Sequence, residues 1–406
     1  MQKHLLFLWT MLLILFVTGL FPTSLQAAPA ATFRPDPFSH DLSGDYLCPI
    51  RIAERQPEFC SVFSPGAEKI RLNYLRARLP NPLPALPIQE IPVPEGPLTQ
   101  YTFAYIRHLP APTYADPSDI ENNVPPIRTY QEGDNWLSVL GSVEYNGQTW
   151  YQVGATEFIP ADRIVFGGAS RFHGVTFTEQ PEYPFGWILR DVAPSPLPGE
   201  APRADTVYKR YEMVTIFAEE PRGASLWYMI GPDLWVEQGN VARVDIRKRP
   251  EEIERGEKWI DVNTFEQTLS AYEGAKIVFA TLISSGRPGE TWTPDGLFRI
   301  WGKLPTTPMM NREVDMANPA WYSLDNVEWT QYFNKDIALH AAYWHNSFGF
   351  TRSHGCVNLS LTDSKWLYEW TTPAPSPTGQ NVMSTAENPG TWIWVHRTPP
   401  TPDYEP

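Results

Sequence analysis

Between Ala338 and Leu359 the chain places three of its eight histidines, His340, His345 and His354, and one of its three cysteines, Cys356. His340 lies sixteen residues ahead of Cys356, with Phe348-Gly349-Phe350-Thr351-Arg352 between them as a turn in which Gly349 is free to take a positive φ. A hairpin or loop there brings the imidazole onto the thiol. The chemistry implied is a thiol nucleophile with an imidazole base, since the thiolate is the attacking species and a nearby His takes its proton. Gly355, just before Cys356, permits a sharp turn that aims successive N–H groups at one point, where they would stabilise the oxyanion of acyl transfer. A zinc site built from the same Cys and His residues, or a structural cysteine among bystander histidines, are the competing readings of this cluster.

Ser353-His354-Gly355-Cys356-Val357-Asn358 resembles the Ser/Thr-His-Gly-Cys-apolar-Arg/Asn signature of the L,D-transpeptidase (YkuD-type) family, which also has an upstream His at about the distance of His340. The resemblance covers roughly residues 256–397. It implies that Cys356 attacks a peptide carbonyl of a peptidoglycan stem peptide to give a thioester, and that His340 is the general base and acid. It further implies oxyanion-hole amides from His354, Gly355 and Cys356, a motif serine at Ser353 in the substrate-binding set, and loop support from Asn358. In the family a tyrosine on a lid lines the pocket; Tyr322 matches best, with Tyr332 as the alternative. Carbapenem-type inhibitors, no cofactor and no metal follow from the same likeness. Family members commonly have Gly or Ser after the first His, and here Ala341 stands there, so any orienting contact to His340 must come from a backbone carbonyl. His345 has no family counterpart and is expected at the cleft edge or surface.

Other cysteine chemistries fit less well. In papain-like wall endopeptidases Cys precedes His, whereas only His396 follows Cys356, and a sortase needs a T-L-x-T run that is absent. A non-enzymatic wall-binding protein would be marked by loss of His340, Gly355 or Cys356, and all three are present.

Composition sets the wider frame. At 406 residues the chain has room for two to four domains, and its 42 prolines favour loops, edges and linkers over long helices. A formal net charge of −14 argues against nucleic acid or anionic lipid as a partner. Lys3 and His4 precede an apolar run from Leu5 to Phe21, and Ala28-Pro29-Ala30 offers a cleavage point, so residues 1–30 read as an export signal, with an uncleaved anchor as the alternative. No other segment is expected to span a membrane. Export permits a disulfide, and Cys48 with Cys60 is the natural pair, which leaves Cys356 as the free thiol.

The elements that must position the site follow in order. Residues 31–97 read as a Cys-containing region with a helix over 67–78 and then a stiff Pro-rich linker. From Tyr101 short strands repeat: Tyr105-Ile-Arg107 recurs as Ile188-Leu-Arg190, and Trp150-Tyr151 recurs as Trp227-Tyr228. Two units, 98–168 and 169–246, resemble bacterial SH3-like β-barrels with Trp150 and Trp227 in their cores. We expect them to act as a pedestal, so that a chain begun near Glu251 folds alone. The fold class is therefore mainly β, an L,D-transpeptidase-type sandwich or barrel over 256–397 preceded by two small barrels and followed by a tail, 398–406. Within the catalytic segment strands are expected near 258–262, 268–272, 276–284, 296–300, 337–340, 357–359 and 392–396. Residues 302–335 read as a long loop, and a helix over 364–370 is expected with Thr362 or Asp363 as its cap.

Overall fold

Lys276-Ile-Val-Phe-Ala-Thr-Leu is dense in β-branched and apolar residues, and it forms the strand Lys276–Leu282 with nearly every side chain covered. A strand buried on both faces needs neighbours on both edges, and it has them. Thr268–Glu273 pairs with one edge and the short strand Val175–Phe177 with the other, both antiparallel. This sheet has seven strands, in the order Ile88–Glu90, Val175–Phe177, Lys276–Leu282, Thr268–Glu273, Lys258–Asn263, Trp392–His396 and Gly296–Arg299. The computed structural model describes residues 65–399 except 223, 224 and 290. The signal segment, Cys48, Cys60 and nearly all of the 398–406 tail lie outside the described residues.

The second sheet carries the site. Its main path runs Val357–Leu359, Ile337–Ala341, Tyr322–Asn334, Asp134–Val139, Thr102–Ile106 and Ile164–Phe166. Gly302–Met310 pairs with Tyr322–Asn334 off that path, and Val382–Met383 pairs with Gly302–Met310. Ile260, Val262, Leu269 and Phe279 of the first sheet pack with Leu339, Val357 and Leu359 of the second and with Leu367 of a helix. That apolar layer is the core of the 256–397 segment, and it fixes the two short strands that hold His340 and Asn358.

Residues 302–335 are not a loop. They form a long antiparallel hairpin whose tip is 311–321. Pro305 and Pro308 of the first strand are accommodated where a missing N–H costs no ladder bond, and Pro319 lies in the tip. The pairing runs Leu304 to Thr330 and Thr306 to Glu328, skipping Pro305, and a register shift between Thr307 and Met309 passes over Pro308. At the hairpin's base Lys303 is fully buried, and its Nζ donates to the carbonyls of Tyr368, Thr371 and Pro373 at 2.6, 3.0 and 2.8 Å. Those acceptors lie at the C-terminal end of a helix, where a cation is favoured.

That helix is Leu361–Trp370, and its cap is Ser360, not Thr362 or Asp363. Ser360 Oγ accepts from the Asp363 amide at 3.1 Å. Asp363 faces inward, accepting from Gly174 N at 2.8 Å and Thr281 Oγ1 at 2.6 Å, and burial pushes its carboxyl up to about 6. It thereby ties the helix to both the first sheet and the upstream chain.

The internal repeat is visible in strand order. Thr102–Ile106 lies between Asp134–Val139 and Ile164–Phe166, as Phe185–Ile188 lies between Met213–Thr215 and Val241–Val244. Each segment adds a three-stranded meander, Gly141–Tyr145 to Glu157–Pro160 and Ala218–Arg222 to Leu234–Glu237, then a 3₁₀ turn. Trp150 is buried as expected, whereas in the second unit the buried ring is Tyr228 and Trp227 is only half-buried.

Neither unit stands apart from the 256–397 segment. Asp134–Val139 pairs in parallel with Tyr322–Leu324, extending the sheet that holds His340. Phe103 stacks on Tyr343 at 3.5 Å between ring centroids. Phe172, Phe185 and Trp187 share a core with Trp259, Tyr272, Leu282 and Phe348. Even the Pro-rich stretch before them contributes, because Ile88–Glu90 pairs with Val175–Phe177 instead of remaining a free linker. The pedestal expectation gives way to a shared core.

Candidate active site

Two adjacent parallel strands bring His340 and Cys356 together. Leu339 sits opposite Val357 and His340 opposite Asn358, so Cys356 enters its strand beside Ala338. His340 is 2% exposed. Its Nδ1 lies 3.0 Å from the carbonyl of Ala341. A carbonyl only accepts, so in the neutral ring Nδ1 carries the proton and Nε2 keeps the lone pair of a base. The orienting contact comes from the backbone, as an alanine at 341 requires. Cys356 is half-buried and free, with its thiol 3.9 Å from the Asp336 carbonyl. Both residues line one cleft of about 300 Å³.

Burial lowers the His340 imidazole to about 4, against a smaller opposing contribution from its bond to Ala341. Burial raises the Cys356 thiol to about 11; the Ala338 amide offsets part of this, and Asp336 adds to it. Between those limits the resting pair is neutral, a thiol beside an unprotonated imidazole. The site therefore holds a poised base and not a standing thiolate, and the proton moves as the sulfur attacks.

The loop around the cysteine is braced from within. Gly355 has φ +120°, open to glycine alone at little cost, although a Cβ there would meet nothing closer than 3.7 Å. Ser353 Oγ donates to the Cys356 carbonyl and accepts from the Gly355 amide, the latter at 3.1 Å. The Gly355 carbonyl accepts from Thr293 Oγ1 at 2.8 Å, and Thr293 Oγ1 accepts from Gly286 N at 2.9 Å. This corrects the amide assignment: Gly355 N–H is turned into the loop, so it is not an oxyanion donor. The amides of His354 and Cys356 have no acceptor among the described residues and remain as the candidate pair. Ser353 is a buried brace of the loop.

Tyr322 and His354 face each other across the cleft mouth, their rings stacked at 4.8 Å. Burial pushes the Tyr322 phenol up to about 12, so it stays a neutral donor. Tyr332 instead stacks on Trp301 and does not line the cleft. His345 is not at the surface; it is 8% exposed. Its Nδ1 accepts from Ser347 N at 3.0 Å, so Nε2 must carry the proton. That Nε2 lies 3.0 Å from the side-chain amide of Asn358, whose carbonyl oxygen must therefore be the atom facing it. Turning the amide this way also gives a partner to the otherwise unsatisfied Asn358 Oδ1. Asn358 thus supports the loop through His345, a link that spacing alone does not reveal.

The cleft wall holds more than the motif. Arg287, Arg352, Trp344, Trp321 and Asp134 also line it. Trp344 stacks on His340 at 5.7 Å. Neither arginine's guanidinium has a carboxylate partner among the described residues. The one signal for Arg352 was its place one residue before Ser353; Asp134, over two hundred residues from Cys356, left none.

Residues 257–395 match the family model of YkuD, the L,D-transpeptidase catalytic domain. The match spans about a third of the chain and contains the whole His340–Asn358 arrangement. The putative L,D-transpeptidase YciB of Bacillus subtilis is 25% identical over 146 residues, which is 29% of this chain and 63% of YciB. The chain thus spans less than two thirds of that curated relative. Among solved structures, an L,D-transpeptidase from Mycobacterium smegmatis is 18% identical over 57% of this chain and 94% of that one, with a TM-score of 0.30. The catalytic domain of an Enterococcus faecium L,D-transpeptidase is 21% identical over 36% of this chain and all of that one, with a TM-score of 0.27. The YkuD-type domain accounts for the strands from Lys258 to Val395 and leaves the upstream repeat outside it.

Proposed function

We propose that this chain is an exported L,D-transpeptidase that cross-links peptidoglycan stem peptides through a Cys356 thioester. The single observation that carries the reading is the neutral His340–Cys356 pair, oriented by the Ala341 carbonyl, within a YkuD-type domain and beside two unengaged amides. Cys356 Sγ attacks the donor carbonyl while His340 Nε2 takes the thiol proton. The amides of His354 and Cys356 receive the oxyanion, and His340 returns the proton to the departing D-alanine amine. An amine from a second stem then attacks the thioester. Arg287 and Arg352, both without a carboxylate partner, suit an anionic peptide. Tyr322 and His354 frame the entrance.

The amino-terminal apolar run supports export, and with it a Cys48–Cys60 disulfide. The duplicated strand order and 3₁₀ turn support the SH3-like reading of the two upstream units. A carboxypeptidase, in which water replaces the amine, would use the same residues. Product analysis from purified stem tetrapeptides separates the two: the transpeptidase gives a dimer lighter than two tetrapeptides by one D-alanine, and the carboxypeptidase gives tripeptide alone. Absence of both products, with intact folded protein, would refute the reading.

A further inference from the structure

We propose that Asp134, supplied by the upstream repeat, forms the subsite for the ammonium group of the acceptor. This rests on the transpeptidase reading and deepens it by assigning the second substrate's anchor.

Asp134 is the only carboxylate lining the described cleft, where it faces a wall otherwise charged by Arg287 and Arg352. Its charge reaches the neighbouring motif, since it opposes the downward shift that burial and Arg287 impose on His354. Among the described residues no cation pairs with it and no side chain donates to it. Its backbone is nevertheless held firmly. Gly133 has φ +84°, and a Cβ there would lie 1.9 Å from the Trp321 carbonyl, so only glycine allows the hairpin tip this close. Asp134 N donates to that same carbonyl at 3.1 Å. The fully buried Asn135 accepts from Trp321 Nε1 at 2.9 Å and donates to the Glu132 carbonyl at 2.8 Å. A carboxylate with no side-chain partner among the described residues is thus fixed at the cleft by its own backbone amide and by the bonds of Asn135.

The chemistry names its ligand. A donor stem peptide is anionic and matches the two arginines. The acceptor arrives as a primary ammonium, which the arginines repel and Asp134 attracts. The bound ammonium loses one proton to solvent. Its nitrogen then attacks the thioester carbonyl, the C–N bond forms and the C–S bond breaks. The second proton passes through His340 Nε2 to the departing sulfur, which restores the thiol. Water needs no such anchor. Asp134 therefore governs how the acyl-enzyme divides between cross-link and hydrolysis.

The test uses the mature full-length protein and the ratio of cross-linked to hydrolysed product from one stem tetrapeptide, a ratio in which partial loss of folded protein cancels. Asp134→Asn should lower that ratio about five- to tenfold, Asp134→Glu should restore most of it, and added salt should shrink the gap because the site is exposed. Hydroxylamine, uncharged at neutral pH, should capture the acyl-enzyme equally well in all three proteins. An unchanged ratio in Asp134→Asn overturns the proposal, and so does an equal loss with hydroxylamine, which would mark a structural role. If the parent protein forms no acyl-enzyme at all, it is the transpeptidase reading that fails.

Discussion

Replacing His340 by glutamine is expected to slow acylation of Cys356 by about 10²- to 10⁴-fold while leaving the circular dichroism spectrum unchanged. Glutamine can still donate to the Ala341 carbonyl, so the strand keeps its contact, but it has no lone pair able to take the thiol proton. The loss is large because the Cys356 thiol is pushed up to about 11 and supplies little thiolate on its own. The pH profile carries the mechanism. In the parent protein the base is neutral above its lowered value of about 4, so acylation should rise through that value and then level off. In the variant it should climb about tenfold per pH unit well past pH 9, following the thiol's own ionisation. A variant that keeps a level profile at neutral pH, within tenfold of the parent rate, would remove His340 from the mechanism.

A chain begun at Glu251 is expected to be insoluble or unfolded. Such a truncation strips Asp134–Val139 from Tyr322–Leu324 and Val175–Phe177 from Lys276–Leu282, leaving an unpaired edge on each sheet. It also uncovers the faces of Tyr343, Leu324, Trp259, Tyr272 and Phe348 that pack on Phe103, Phe172, Phe185 and Trp187. Burial of a large apolar side chain is worth ~1.5–3 kcal/mol, so several partial exposures together rival the ~5–15 kcal/mol that holds a domain folded. Expression of the fragment followed by thermal unfolding decides it: no cooperative transition is the expected result. A soluble fragment with a sharp transition and undiminished turnover on soluble peptides would restore the pedestal.

These outcomes turn on where the sequence was readable. Six adjacent residues from Ser353 to Asn358, with His340 upstream, were legible because the candidate nucleophile, base and turn lie on or beside neighbouring strands and so close together in sequence. Strands such as Lys276–Leu282 were legible from composition. The hairpin at 302–334 was not, because its prolines mimic a loop and only the pairing shows that Pro305 and Pro308 fall where no ladder bond is needed. The burial of His345 was hidden for a similar reason: its partners are the Ser347 amide and the Asn358 side chain, neither marked by periodicity. The role of the repeat was furthest from view. Short alternating strands suggest a repeated β unit, but not that one of its strands, Asp134–Val139, extends the sheet that holds His340 and carries a carboxylate into the cleft.

The central claim is that Cys356 forms the covalent acyl-enzyme. Intact-protein mass spectrometry after incubation with a carbapenem tests it most directly, because a strained amide acylates the nucleophile and stays attached. One adduct per chain is expected, localised to the peptide containing Cys356, and none on a Cys356→Ala variant that retains the parent's thermal unfolding. A single adduct of the same mass on Cys356→Ala would place the nucleophile elsewhere and contradict the account.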